Sequence, residues 1–165
     1  MNTIKERAFI AEINAHQRLV HKICKIYTDT PHDHEDLFQE IVIQLWKAYP
    51  NFRGDALFST WAYKIALNTA MTLFRKKNRT PKINAQSDIF QLEIREEEKP
   101  EDSDKINAMY DAIHQLNDVE KALIMMFLDD KSYREIAEIL GISEGNARIK
   151  MMRTREKLKH LIQKR

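Results

Sequence analysis

The sequence of 165 residues is poor in the residues that interrupt helices and in those that cross-link chains. Its 3 glycines and 4 prolines are too few for a turn-rich all-β fold, so an all-α fold is expected. A single cysteine, Cys24, excludes an intrachain disulfide. It lies within an apolar periodic run, which suits a reducing compartment and a buried structural thiol. No apolar run is long enough to cross a bilayer and no signal-peptide pattern follows Met1, so a cytoplasmic protein without membrane insertion is expected. A glycine-rich phosphate loop, a nucleophile elbow and a Cys–His pair with a plausible orienting group are all missing; neither an enzyme nor a cofactor is indicated. The run HDHED, residues 32–36, has the composition of a metal site. Its side chains are adjacent rather than spaced to converge, and His16 and His21 are isolated, so no metal is expected and an acidic helix start explains the run. Charge of one sign is lacking too: the net charge is +2, too small to point to nucleic acid by itself.

What the chain does have is charge sorted by place, acidic in the middle and basic at residues 75–79 and along the last helix. The stretch SYREIAEILGISEGNARIKMMRTREKL, residues 132–158, organises the rest. Ser132 and Glu135 form a capping box. Ile136, Ala137, Ile139 and Leu140 make an apolar stripe at helical spacing. Gly141 ends that helix, Ile142 plugs the corner, and Ser143 caps a second helix. The second helix carries Arg148, Lys150, Arg153, Arg155, Lys157 and Lys159. One bracing helix, a tight turn and a basic helix are what a major-groove reader needs, although a helical hairpin with a solvated basic face has the same pattern.

The first half predicts one or two amphipathic helices from Ile4 to about Tyr27, with Ile4, Ala8, Ala11, Leu19, Val20, Ile23 and Tyr27 inward. Pro31 breaks the pattern and Asp33 is placed as the next N-cap. A strong helix follows from Asp36 to Tyr49, with Leu37, Ile41, Leu45 and Ala48 on one side and Phe38, Val42 and Trp46 beside them. Asp36, Gln39 and Glu40 fall on its polar side near the N-terminus, where the helix dipole favours acidic groups. Residues 51–59, NFRGDALFS, form a loop, and a helix runs from about Thr60 into Arg75, Lys76, Lys77 and Arg79. Aromatic residues beside a basic run suit single-stranded nucleic acid, although Phe58 and Trp61 at this spacing also suit a core. Asn68, on an otherwise apolar helix, either cross-links the core or bonds a base edge.

The pair of stretches, DLFQE…FRGD…STWAYKIALN within residues 36–79 and the helix–turn–helix of residues 132–158, resembles the extracytoplasmic-function group of sigma-70 family RNA polymerase sigma factors. The resemblance implies two helical domains, residues 1–79 and 105–165, joined by an acidic flexible linker over residues 80–104. It implies that Asp36, Leu37, Phe38, Gln39 and Glu40 bind core RNA polymerase at the clamp of the large subunit. It further implies that Phe52, Arg53, Phe58, Trp61, Asn68, Arg75 and Lys76 engage and melt the minus-ten element, with a flipped base held in the loop. Ser143, Arg148, Ile149, Met152 and Arg153 would read the minus-thirty-five element, the last four lying on one helical face. The partners implied are core polymerase, promoter DNA and a membrane-linked anti-sigma factor; the chain would be a specificity subunit and not an enzyme. Thr72 departs from the family's usual Asp or Asn, and Asn146–Ala147 from a frequent Thr-Val pair, so promoter sequence does not transfer from relatives.

The linker is acidic at Glu93, Glu96, Glu97, Glu98, Glu101, Asp102 and Asp104. Beyond it, Ile106, Met109, Tyr110, Ile113 and Leu116 open the second domain. Asn117 and Glu120 form another capping box, and Val119, Leu123, Ile124, Phe127 and Leu128 fill the core. From the residues alone, a free-standing two-domain DNA-binding regulator and a metal-dependent helical enzyme built on residues 32–36 remain the alternatives.

Overall fold

The computed structural model describes residues 3–79 and 100–164, and among them every regular element is helical. The helices fall into two compact units, α1–α4 and α5–α8. Most of the expected acidic linker, including Glu93, Glu96, Glu97 and Glu98, lies outside the described residues.

In the first unit, α1 (Thr3–Ala15) and α2 (Gln17–Tyr27) are separated at His16, whose Nδ1 lies 2.8 Å from the carbonyl oxygen of Glu12. The inward face of α1 is not the expected one. Ile4, Ala8 and Ala11 are exposed, Ile4 to 77%, while Phe9 is buried. At 100° per residue those three lie about a quarter-turn or more around the helix from Phe9. The aromatic ring wins because it buries far more apolar area, packing on Trp46 and Tyr49 at centroid distances of 5.0 and 5.1 Å. Helix α2 buries Val20, Ile23, Cys24, Ile26 and Tyr27. The thiol of Cys24 is wholly enclosed, and burial pushes its pKa up to about 12.

Helix α3 (Pro31–Ala48) begins earlier than expected, and its N-cap is Thr30 instead of Asp33. The Thr30 hydroxyl accepts from the Asp33 backbone N–H at 3.1 Å, and Pro31 occupies the first turn, where no donor is needed. Leu37, Ile41 and Leu45 form the buried stripe, each contributing roughly 1.5–3 kcal/mol by leaving water. A short 3-10 turn (Tyr49–Asn51) leads to the loop, and α4 (Phe58–Arg79) starts two residues ahead of the expected Thr60. Ala62, Ala66 and Ala70 sit at four-residue spacing and are all buried, with Tyr63, Leu67 and Met71 beside them; small side chains let α4 approach α2 and α3 closely.

In the second unit, α5 (Pro100–His114) covers residues expected in the linker. Helix α6 (Asp118–Leu128) opens with the expected Asn117–Glu120 box, its two bonds measuring 2.9 and 3.0 Å. Leu123 and Ile124 are buried as expected, but Phe127 and Leu128 are not: they are 42% and 48% exposed. The Arg155 guanidinium covers the Phe127 ring at 4.4 Å instead. Lys121 is buried and sends its ammonium to the carbonyl of His114, 3.1 Å away, satisfying an acceptor at the end of α5. Helices α7 (Tyr133–Leu140) and α8 (Glu144–Gln163) follow the sequence expectation closely. The Ser132–Glu135 box is formed, Gly141 is left-handed (φ 69°), and the Ser143 hydroxyl accepts from the Asn146 N–H at 3.1 Å. The Ile142 N–H reaches back to Ala137 O at 3.1 Å, closing the turn.

Candidate nucleic-acid interface

Three surfaces carry the chemistry, two on the first unit and one on the second. On the first half of α3, Asp36 and Gln39 are exposed, Phe38 and Glu40 are half-buried, and Leu37 points into the core. Leu37 therefore supports this face from behind and is not part of it. Asp36 lies 3.3 Å from His32, and Glu40 accepts from Gln44 at 2.8 Å. Asp36 and Glu40 rim a groove of ≈ 310 Å³ whose floor includes Tyr27, Leu37, Leu73 and Phe74. At its edge Lys77 donates to Asp33, and this bond holds the Asp33 carboxyl below its ordinary pKa against the opposing effect of partial burial.

Behind Phe38 is an arrangement that adjacency in sequence does not suggest. His21 Nδ1 and His34 Nε2 are 3.0 Å apart, so one nitrogen must offer a proton and the other a lone pair. The Phe38 ring stacks on His21 at 4.5 Å and 20°. Partial desolvation, then the neighbouring His21, lower the pKa of His34. No group of three or more His, Cys, Asp or Glu among the described residues is arranged to hold a metal ion.

The second surface gathers Phe52, Phe58 and Trp61, joined by Tyr49, which the sequence reading had not included. Phe52 and Trp61 are 4.9 Å apart, Phe58 and Trp61 5.4 Å, and Phe52 and Phe58 5.7 Å. Tyr49 closes the cluster at 6.2 Å from Phe52. Phe58 is buried and acts as the anchor, whereas Phe52 and Trp61 keep part of their faces in solvent. Arg53 is exposed beside them, and Gly54 turns the loop at a positive φ of 78°. Asn68 is not in this cluster. It is exposed and lines a separate α3–α4 groove with Glu40, Gln44, Thr69 and Thr72, so it does not cross-link the core. The Thr72 hydroxyl is spent on its own helix, donating to Asn68 O at 2.8 Å. Arg75 and Lys76 are exposed near the C-terminal end of α4. The half-exposed rings offer stacking faces with Arg53 as the neighbouring cation, whereas Arg75 and Lys76 lie about 21 Å farther along α4.

The third surface is α8. Ala147, Met151 and Thr154 are buried, at the i, i+4, i+7 spacing of one helix face. Arg148, Ile149, Met152 and Arg153 are all exposed, Ile149 to 47% and Met152 to 57%. Ser143 serves its cap, and its hydroxyl faces the helix N-terminus. Arg148 is stacked on Tyr133 at 4.8 Å, a contact between residues 15 positions apart that helix periodicity could not reveal.

Comparison with known proteins assigns the chain to a family. Residues 13–80 match Sigma-70 region 2, and residues 106–158 match Sigma-70, region 4. The chain belongs to the sigma-70 family. Within it the relatives include members of the extracytoplasmic-function (ECF) group. The ECF RNA polymerase sigma-E factor of Escherichia coli is 30% identical, over 96% of this chain and 88% of that one. Its namesake in Haemophilus influenzae is 29% identical, over 96% and 89%. The RNA polymerase sigma-H factor of Pseudomonas aeruginosa is 32% identical, over 87% and 81%. The sigma-factor fold also matches the sigma factor RpoE of Bartonella quintana, solved in complex with the anti-sigma factor NepR, at a TM-score of 0.68 and 19% identity, covering 95% of this chain and 98% of that one. CnrH, solved with the cytosolic domain of CnrY, matches at 0.67 and 20% identity, covering 96% and 89%. This chain is an alternative sigma factor, directing promoter-specific transcription initiation.

Proposed function

We propose that the sigma factor divides its work between its two units, α1–α4 and α5–α8. In the first, the face formed by Asp36, Phe38, Gln39 and Glu40 docks on the clamp of the large subunit of core RNA polymerase. Phe52, Phe58 and Trp61, with Arg53, Arg75 and Lys76 tracking phosphates, take up the opened minus-ten strand, and Asn68 meets it from the α3–α4 groove. In the second, Arg148, Ile149, Met152 and Arg153 read the minus-thirty-five element from the major groove. The observation that carries this division is α8: its holding face (Ala147, Met151, Thr154) is distinct from its exposed basic face, as a groove reader requires. An exposed arginine in such a position can bond guanine bidentately, worth roughly 1–3 kcal/mol of discrimination.

The chain itself is then a specificity subunit working in the cytoplasm, with catalysis left to the polymerase. No described helix is long and apolar enough to cross a membrane. The two solved relatives, one bound to an anti-sigma factor and one to a cytosolic domain, support an anti-sigma partner here as well. Gel filtration with purified bacterial core polymerase tests the first half. The wild-type chain is expected to co-elute stoichiometrically, and Glu40→Lys to abolish co-elution while the variant keeps its helix content. Co-elution of Glu40→Lys at wild-type level would remove this face from the interface.

A further inference from the structure

We infer that Tyr133 is a positioning residue for promoter specificity, holding the Arg148 guanidinium in its reading orientation. The inference rests on Arg148 facing DNA as proposed above.

Tyr133 is the first residue of α7, and the Ser132–Glu135 box fixes its backbone. Its half-buried ring lies under Arg148, with the guanidinium carbon 4.8 Å from the centroid. That distance is within cation–π range. Among the described residues no carboxylate ion-pairs with Arg148. The stacking geometry matters because a guanidinium is planar. A guanidinium laid flat on a ring keeps its in-plane N–H donors free for the two acceptors of a guanine edge. A free arginine must lose side-chain rotamer freedom before it can make that bidentate contact; one already laid on a ring has lost part of it. Arg155 makes the same kind of contact on the same helix, over Phe127 at 4.4 Å. The open groove of ≈ 550 Å³ on this face is lined by Tyr133, Arg148, Met152, Arg155, Glu156 and Lys159.

The test uses the full chain in complex with bacterial core RNA polymerase. The probe is a pool of double-stranded DNA randomised across the upstream promoter element and sequenced before and after binding. The readout is the ratio of preferences for the four bases at each position, which is independent of the fraction of active protein. Arg148→Ala is expected to flatten the preference at one base pair. Tyr133→Leu is expected to reduce the preference at that same base pair by about two- to fivefold, leaving the other positions unchanged. Tyr133→Phe, which keeps the ring face, is expected to restore it. If Arg148→Ala flattens a position that Tyr133→Leu does not touch, the positioning role is wrong while Arg148 still reads DNA. If Arg148→Ala changes no position, the assignment of Arg148 as a reader fails and Tyr133 falls with it. A Tyr133→Phe variant as impaired as Tyr133→Leu would place the effect on the hydroxyl and overturn the stacking account, as would a gain of preference on losing the ring.

Discussion

Single residues in this chain are set by their surroundings more than by their type. His34 is the clearest case. Its neutral form is favoured in the folded chain because the ring is partly desolvated and sits against His21. The unfolded chain therefore binds more protons once pH falls below the ordinary histidine value of 6.5. His34 contributes stability above that pH and loses it as pH falls through the lower folded value. The melting temperature is expected to drop between about pH 7 and pH 5, and the drop to be shallower in His34→Phe. Equal slopes in thermal melts of the two proteins would assign the acid sensitivity to other groups. Asp33 responds in the same direction at lower pH, since its depressed pKa, set by Lys77, stabilises the fold only above the carboxylate range.

At the scale of elements, the turn between α7 and α8 depends on one backbone conformation. A Cβ at Gly141 would meet no atom within 4 Å, so Gly141→Ala brings no clash. Its cost is the left-handed φ of 69° alone, about 1–2 kcal/mol, read as a lower urea midpoint with an unchanged slope. This turn was fully legible in the sequence, because caps are local: Ser132, Glu135, Gly141 and Ser143 each act within four residues of themselves. The same locality gave the Asn117–Glu120 box. Faces of helices were less legible. On α1, counting apolar residues favoured Ile4, Ala8 and Ala11, but the partner aromatics Trp46 and Tyr49 lie some 40 residues away and select Phe9. On α6, Phe127 and Leu128 continue an apolar run past the point where the core ends, and only the position of Arg155 shows it. Thr30, not Asp33, caps α3 because Pro31, with its fixed φ and no N–H, suits the first helical position and starts the helix there. For the candidate site the pattern repeats. The residues on α8 and the rings of the loop follow from the resemblance to the sigma-70 family, whereas Tyr49, the His21–His34 pair and the Tyr133–Arg148 stack arise from packing between elements.

At the scale of the whole molecule, the proposed roles should be separable by mutation. Arg153→Ala is expected to leave co-elution with core polymerase intact and to weaken selection of the upstream element by about 1–3 kcal/mol for the base pair concerned. Transcription from promoters matched or mismatched at that element measures the loss. Equal transcription by the variant and wild type from both templates would mean that the reading face is misassigned. Net charge is a poor guide to any of this: +2 over 165 residues conceals an α8 whose exposed surface is strongly basic.

The anchoring of α8 has one more consequence. Ala147, Met151 and Thr154 tie the helix to its unit, and Arg148, Ile149, Met152 and Arg153 are not among them. A change of letter at any of those four exposed positions leaves the core untouched, so under the proposed division of roles drift there alters which genes respond without endangering the fold. Duplicated copies of such a gene can diverge into separate regulons by a handful of substitutions, and an engineer wanting non-interfering genetic circuits can respell the same four positions on an unaltered scaffold.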